Sequence, residues 1–173
     1  MENQASSKSI ILNYGLYLGI IGVIVHLVLW ASGNVLELQW VNSLISFIAT
    51  VVFIVLGIKK FKELNGSFMS WGQGVKVGMG IVMISAIITV VYTLLFTSVI
   101  DPEFQQQAME FQKQAWVDAG MTEEQIESAT GMTEKFQSPL IISAMILAFS
   151  AFLGFVISAI AAAIMKKNKE DNY

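Results

Sequence analysis

The sequence contains no cysteine and no arginine, and each absence excludes a class of chemistry. Without cysteine the chain has no disulfide, no thiolate metal site and no cysteine nucleophile. All ten positively charged side chains are lysines, so the chain lacks the planar guanidinium group that binds phosphate and carboxylate groups through bidentate hydrogen bonds. The lack of arginine argues against a nucleic-acid-binding protein.

Charge is also scarce, and the chain has a single histidine. Only 13% of the 173 residues are charged, whereas 55% are hydrophobic, and the net charge is −3. This apolar excess is typical of a small integral membrane protein and not of a soluble domain of the same length. We therefore expect one membrane domain, residues 1–173.

Four long apolar runs account for this composition. Residues 77–100 include no charged side chain, and as a helix they would reach about 36 Å, enough to cross a hydrocarbon layer of about 30 Å. The first run is too long for a secretory signal and lacks a clean cleavage site, so we expect it to be retained. The runs predict an all-α, four-helix transmembrane bundle with spans at 10–31, 40–58, 77–100 and 140–165.

Residues 101–138, between the third and fourth spans, have a different character and predict a helical hairpin outside the bilayer. Asp101-Pro102-Glu103 is a favourable helix start, Gly120 a favourable terminator, and Thr122 with Gln125 matches a capping box. Gly131 weakens the second helix.

The first of these two helices has an apolar stripe. Phe104, Ala108, Phe111 and Ala115 recur at helical spacing, and Met109 and Trp116 lie beside them. Two readings stay open: the two helices cover the stripe by packing on each other and on the membrane surface, or Phe104, Phe111 and Trp116 form a face for a protein partner.

The lysines predict the orientation of the chain, because cytoplasmic flanks of spans carry an excess of positive charge. One side has Lys8, Lys59, Lys60, Lys62, Lys76, Lys166, Lys167 and Lys169, and the other has Lys113 and Lys135. Both termini and the 59–76 loop are therefore predicted to be cytoplasmic, and 101–138 extracytoplasmic. Within that loop, residues 67–74 alternate polar and apolar side chains and are expected to lie flat in the headgroup region.

Several strings in the chain resemble an uncharacterised family of four-span membrane proteins, domain of unknown function 4199, found mostly in Bacteroidota. They are SFMSWGQGVKVG at 67–78, IDPEF at 100–104, ILNYG at 11–15 and MTEEQIE at 121–127. The resemblance covers nearly the whole chain. It implies a bacterial inner membrane with 101–138 in the periplasm, and it transfers no catalytic residue. Gly131 departs from the expected pattern and raises the expectation of a break in the second outer helix.

Small residues at helical spacing mark three of the four spans. Such residues let helix backbones approach each other in lipid, either within one chain or at a dimer seam. The candidate packing residues are Gly15, Gly19 and Gly22 in the first span, Gly74 and Gly78 in the third, and Gly154 in the fourth.

His26 is the only ionisable side chain inside a predicted span, which makes it a candidate site residue. It is interpreted as a hydrogen-bonded structural histidine, a proton or pH sensor, or a metal ligand, although no second histidine completes a metal set. Asn13, Asn42, Thr89 and Tyr92 would line a polar interior or bond between helices.

No catalytic, cofactor-binding or metal-binding group is predicted. The spans contain no acidic residue, and no serine has a histidine partner at a recognisable spacing. We therefore expect a non-enzymatic inner-membrane protein that is structural or binds a partner through the outer hairpin, the partner being a second copy or a periplasmic or membrane protein. The alternative is a small transporter or channel subunit that acts as an oligomer.

Overall fold

The computed structural model describes residues 2–167, and side chains from residue 7 onward; Lys169, part of the orientation prediction, lies outside this range. The described chain is helical, and its one ladder contact is an isolated bridge between Met69 and Lys167. The helices are α1 Glu2–Ala31, α2 Gln39–Leu64, α3 Trp71–Leu95, α4 Phe104–Asp118, α5 Glu123–Phe136 and α6 Pro139–Met165, and a π-helical segment, Phe96–Ile100, continues α3.

Four of these helices are long and apolar enough to cross a membrane, as the sequence predicts. They are Ser7–Ala31 within α1, Gln39–Leu64, Trp71–Ile100 and Pro139–Met165. Most of their ends extend past the predicted runs. The second run ends at residue 58, for example, yet α2 continues through Lys59, Lys60 and Lys62. A hydropathy pattern stops at the first charge, whereas the helix does not, because lysine is a good helix former.

The start of α3 corrects one expectation. Residues 67–74 do not form a separate flat segment, because α3 already begins at Trp71. The backbone N–H of Ser70 donates to Gln73 Oε1 at 2.9 Å, and the N–H of Gln73 donates to Ser70 Oγ at 3.3 Å. This reciprocal pair is a capping box, and the Ser-x-x-Gln spacing that signals it is present in the sequence.

The chain divides into two compact units, residues 1–89 with 147–173, and residues 90–146. The first unit is a four-helix bundle whose core includes Ile54, Ile58 and Ile81, all with no exposed area. Helix α1 packs on α2, and glycine positions place α3 against three helices, since Gly15 on α1 and Gly57 on α2 face α3, and Gly74 on α3 faces α6.

The second unit contains the π-helical segment and the hairpin of α4 and α5. Phe96 is 2% exposed, and its ring meets the ring of Phe104 edge-on with centroids 5.2 Å apart. The predicted capping box is present, with Thr122 Oγ1 accepting from the Gln125 N–H and Gln125 Oε1 accepting from the Thr122 N–H. Gly120 ends the hairpin's first helix in a left-handed conformation with φ +79°.

Two details of the hairpin differ from expectation. Helix α4 begins at Phe104 with Glu103 in the N-cap position and no capping side chain, so Asp101 is not its cap. Helix α5 runs without a break through Gly131 to Phe136. One glycine costs a helix only about 1 kcal/mol, which is too little to break α5 by itself.

Candidate functional site

Glycines bring α1 against α3 at two positions one turn apart. A Cβ added at Gly15 would lie 2.6 Å from Ile84 Cβ, and one added at Gly19 would lie 2.8 Å from Ile88 Cδ1. Both distances are shorter than side chains tolerate, so the approach of the two backbones depends on these glycines.

A second glycine seam joins α3 to α6. A Cβ at Gly74 would lie 2.7 Å from Ala162 Cβ, one at Gly78 would overlap the hydroxyl of Ser158, and one at Gly154 would lie 3.0 Å from Val82 Cβ. Both seams are contacts within one chain. Gly22 differs, because nothing lies within 4 Å of its Cβ position.

Hydrogen bonds connect the lysine-bearing ends of α2, α3 and α6. Lys62 Nζ donates to the carbonyl of Met165, the last residue of α6, at 2.7 Å. Met69 and Lys167 exchange two backbone hydrogen bonds of 2.9 Å, and the Trp71 indole donates to the Ala159 carbonyl at 3.0 Å. Lys62 satisfies the carbonyl of Met165, which has no partner within α6 because the helix ends there. Met69 and Trp71, both in the string 67–78 that resembles the family, contribute to the contact between the start of α3 and the end of α6.

The bundle encloses a cavity of about 330 Å³, within the range of small-molecule sites. Its α1 and α3 walls are buried or half-buried, whereas four lining side chains on α2 and α6 are exposed, namely Ser43, Ile45 by 39%, Phe47 by 49% and Phe149 by 64%. The open side therefore lies along α2 and α6. Gly22 is part of the cavity wall.

The polar groups on the cavity wall are uncharged and include hydrogen-bond donors and acceptors, namely the Asn42 amide and the hydroxyls of Ser43, Ser46, Thr50, Ser85, Thr89 and Ser150. The hydroxyls of Ser43, Thr50 and Thr89 donate their protons to backbone carbonyls one turn earlier, at 2.8–3.0 Å, which leaves oxygen lone pairs as their remaining capacity. Asn42 Oδ1 is out of contact with solvent and has no hydrogen-bond partner among the described residues. No charged side chain lines the cavity.

The other predicted polar residues are not part of this cavity. His26 is half-buried on α1 and is absent from the lining, as are Asn13 and Tyr92. Asn13 is exposed, and its Nδ2 lies 3.4 Å from Ser9 Oγ. The cavity thus brings together Asn42 and Thr89 of the predicted polar set and adds Ser43 and Thr50. Within the described part of the chain, no three histidine or acidic side chains come close enough to hold a metal ion.

The aromatic residues of the predicted partner face have different surroundings. Phe104 packs on Phe96 and is half-buried, as is Trp116, while Met109 beside them is buried. Phe111 is 38% exposed. Of the three candidates, Phe111 is the most exposed.

Four of the helices are long and apolar enough to cross a membrane, and glycine contacts join α1 and α6 to α3, an arrangement compatible with a multi-pass membrane protein. The chain belongs to the family of proteins of unknown function DUF4199, whose family model matches residues 13–167. No curated protein and no solved structure matches the chain significantly.

Proposed function

We propose that the chain is a non-enzymatic, multi-pass protein of the bacterial inner membrane, with both termini cytoplasmic and residues 101–138 periplasmic. Two contacts support this orientation because they bring lysine-bearing segments together at one end of the four-helix bundle. They are the hydrogen bond from Lys62 to the Met165 carbonyl and the backbone bridge between Met69 and Lys167. An anionic, cytoplasmic membrane surface attracts such a cluster.

The proposed role is to bind a protein partner, and the insert of α4 and α5 is the proposed binding element. The observation that carries this role is the exposed apolar surface of α4, where Phe111 is 38% and Val117 53% exposed, while Phe104 and Trp116 are half-buried and Met109 is buried. A large aromatic side chain with an open face is the commonest kind of anchor at protein interfaces.

Site-specific crosslinking tests this role. A photoreactive phenylalanine analogue at Phe111, in the full chain at native expression, is expected to give one discrete product with a second protein. The same analogue at Gln114, exposed on the same helix, is the control. Excess unlabelled wild-type protein should suppress the product by competing for the partner, whereas excess Phe111→Glu protein should not. Equal products at both positions, or none at Phe111, would contradict a binding face centred on this ring.

The cavity favours a second candidate function, a transporter or channel subunit. Its polar wall supports movement of a small solute, but Ile54, Ile58 and Ile81 fill the core of the described bundle with no exposed area. A continuous path would therefore need a second copy or a rearrangement of the helices. Solute flux in vesicles that is unchanged by His26→Ala and by Asn42→Ala would remove this candidate.

A further inference from the structure

We propose that the cavity in the four-helix bundle binds the hydroxyl-bearing end of an uncharged lipid, which reaches it from the bilayer through the opening along α2 and α6. Asn42, Ser43 and Thr50 on α2 and Thr89 on α3 are polar residues of the cavity wall. The exposed rings of Phe47 and Phe149 lie at its opening.

The chemistry of the wall selects the ligand. The oxygens of Ser43, Thr50 and Thr89 are left as acceptors, while the hydroxyls of Ser46, Ser85 and Ser150 and the amide N–H groups of Asn42 are able to donate. A ligand group that both donates and accepts hydrogen bonds therefore matches this wall. An alkyl chain alone does neither, and a charged headgroup would lack a counter-charge on this wall. A lipid alcohol satisfies both conditions.

The size and position of the cavity agree with a headgroup and not with a whole lipid. At about 30 Å³ for each atom-sized volume, 330 Å³ has room for about ten non-hydrogen atoms. Asn42 lies in the first turn of α2, and Thr50 lies about 12 Å further along the helix axis. A glycerol group with the first methylenes of its chains fits this length. The rest of each chain would pass between Phe47 and Phe149 into the bilayer.

Gly22 offers a way to fill the cavity without damaging the bundle. It lines the cavity, and nothing lies within 4 Å of its Cβ position. Gly22→Leu should therefore occupy the space and also favour helix α1, because leucine is a better helix former than glycine. Gly72→Leu is the matched control, since Gly72 is exposed on α3, has equally open space and is outside the lining.

The test uses the full-length protein in detergent micelles with a photoactivatable short-chain diacylglycerol, its methyl ether, which lacks the donor, and a phosphatidylcholine of equal chain length. We expect the diacylglycerol to label peptides spanning 42–50 and 149–157. Labelling by the methyl ether should be lower on the order of tenfold, the effect of one hydrogen bond of about 1.4 kcal/mol. Phosphatidylcholine should label these peptides no more than it labels α4 and α5.

The variants separate the site from general lipid binding. Asn42→Leu should reduce diacylglycerol labelling on the order of tenfold, whereas Asn13→Leu, the same change at an exposed position, should leave it unchanged. Gly22→Leu should abolish labelling, and Gly72→Leu should preserve it, with thermal unfolding showing that each variant is folded. Equal labelling by all three lipids would overturn the proposal, and so would absence of labelling, which would indicate a cavity filled by water alone. Neither result bears on crosslinking at Phe111.

Discussion

At the scale of single residues, the close contact between Gly78 and Ser158 is the tightest constraint in the α3–α6 seam. Ser158 has no exposed area, and its Oγ has no hydrogen-bond partner among the described residues. A buried hydroxyl in this position is unfavourable in itself. It is tolerated because only a side chain as small as serine fits opposite the glycine backbone.

Gly78→Ala should destabilise the bundle by about 1–3 kcal/mol, because the new methyl group overlaps Ser158 Oγ and would lie 3.1 Å from Ile54 Cγ2. The midpoint of thermal unfolding in detergent measures the effect. Adding Ser158→Gly should restore most of the lost stability, because the double variant has the glycine on α6 and the larger residue, alanine, on α3.

Gly72→Ala provides the control for this substitution, because nothing lies within 4 Å of its Cβ position. It should raise the unfolding midpoint or leave it unchanged. An unfolding midpoint for Gly78→Ala equal to that of Gly72→Ala would show that the two helices do not meet at this seam.

At the scale of the element, the two glycines of the α4–α5 hairpin have opposite roles. Gly120 has φ +79° and terminates α4, whose last turn is closed by a hydrogen bond from the Met121 N–H to the Trp116 carbonyl at 3.1 Å. Gly131 lies inside α5, is exposed and has open space around its Cβ position. One glycine is required by the backbone, and the other is not.

Gly131→Ala should therefore stabilise α5 by about 1 kcal/mol, whereas Gly120→Ala should destabilise the hairpin by about 1 kcal/mol, since alanine is strained at positive φ. Hydrogen exchange of the α5 amides reports both changes. Protection should increase in the first variant and decrease in the second. A decrease for Gly131→Ala would mean that this glycine faces a contact that the open space around it does not reveal.

The helices could be predicted from this sequence more readily than the contacts between them. The charge-free run at 77–100 locates α3 because hydropathy is a property of a continuous segment. The glycine spacings at 15 and 19 locate small residues, but their partners, Ile84 and Ile88, depend on the rotation of two helices about their axes. The cavity is harder still to predict, since its wall is built by residues of four helices that are far apart in the sequence.

Hydrogen-bonding motifs also differ in how readily the sequence predicts them. The Thr122 capping box is contained in four consecutive residues and could be predicted. The Ser70 box has the same spacing, but it lies among apolar residues that also match an amphipathic surface segment. The contact from Lys62 to Met165 joins residues far apart in the sequence and has no local signal.

At the scale of the whole molecule, the chain's orientation is open to a direct test because it has no cysteine to remove. With Ser128→Cys on α5, a membrane-impermeant maleimide should label intact spheroplasts. With Glu63→Cys at the end of α2, labelling should require permeabilised membranes. Both positions are exposed, and Glu63 is 54% exposed, so a difference between them reports the side of the membrane and not burial. Labelling of Glu63→Cys in intact spheroplasts would reverse the proposed orientation.

The seam between α3 and α6 also has a consequence for biogenesis. Translation produces α3 before α6, so the groove formed by Gly74 and Gly78 is completed before Ala162 and Ser158 exist to fill it. During that interval a nascent chain would expose a narrow groove to lipid or to an insertase. Helix α6 would therefore be the helix that closes this groove, so a truncation that removes Ser158 and Ala162 should leave the groove open.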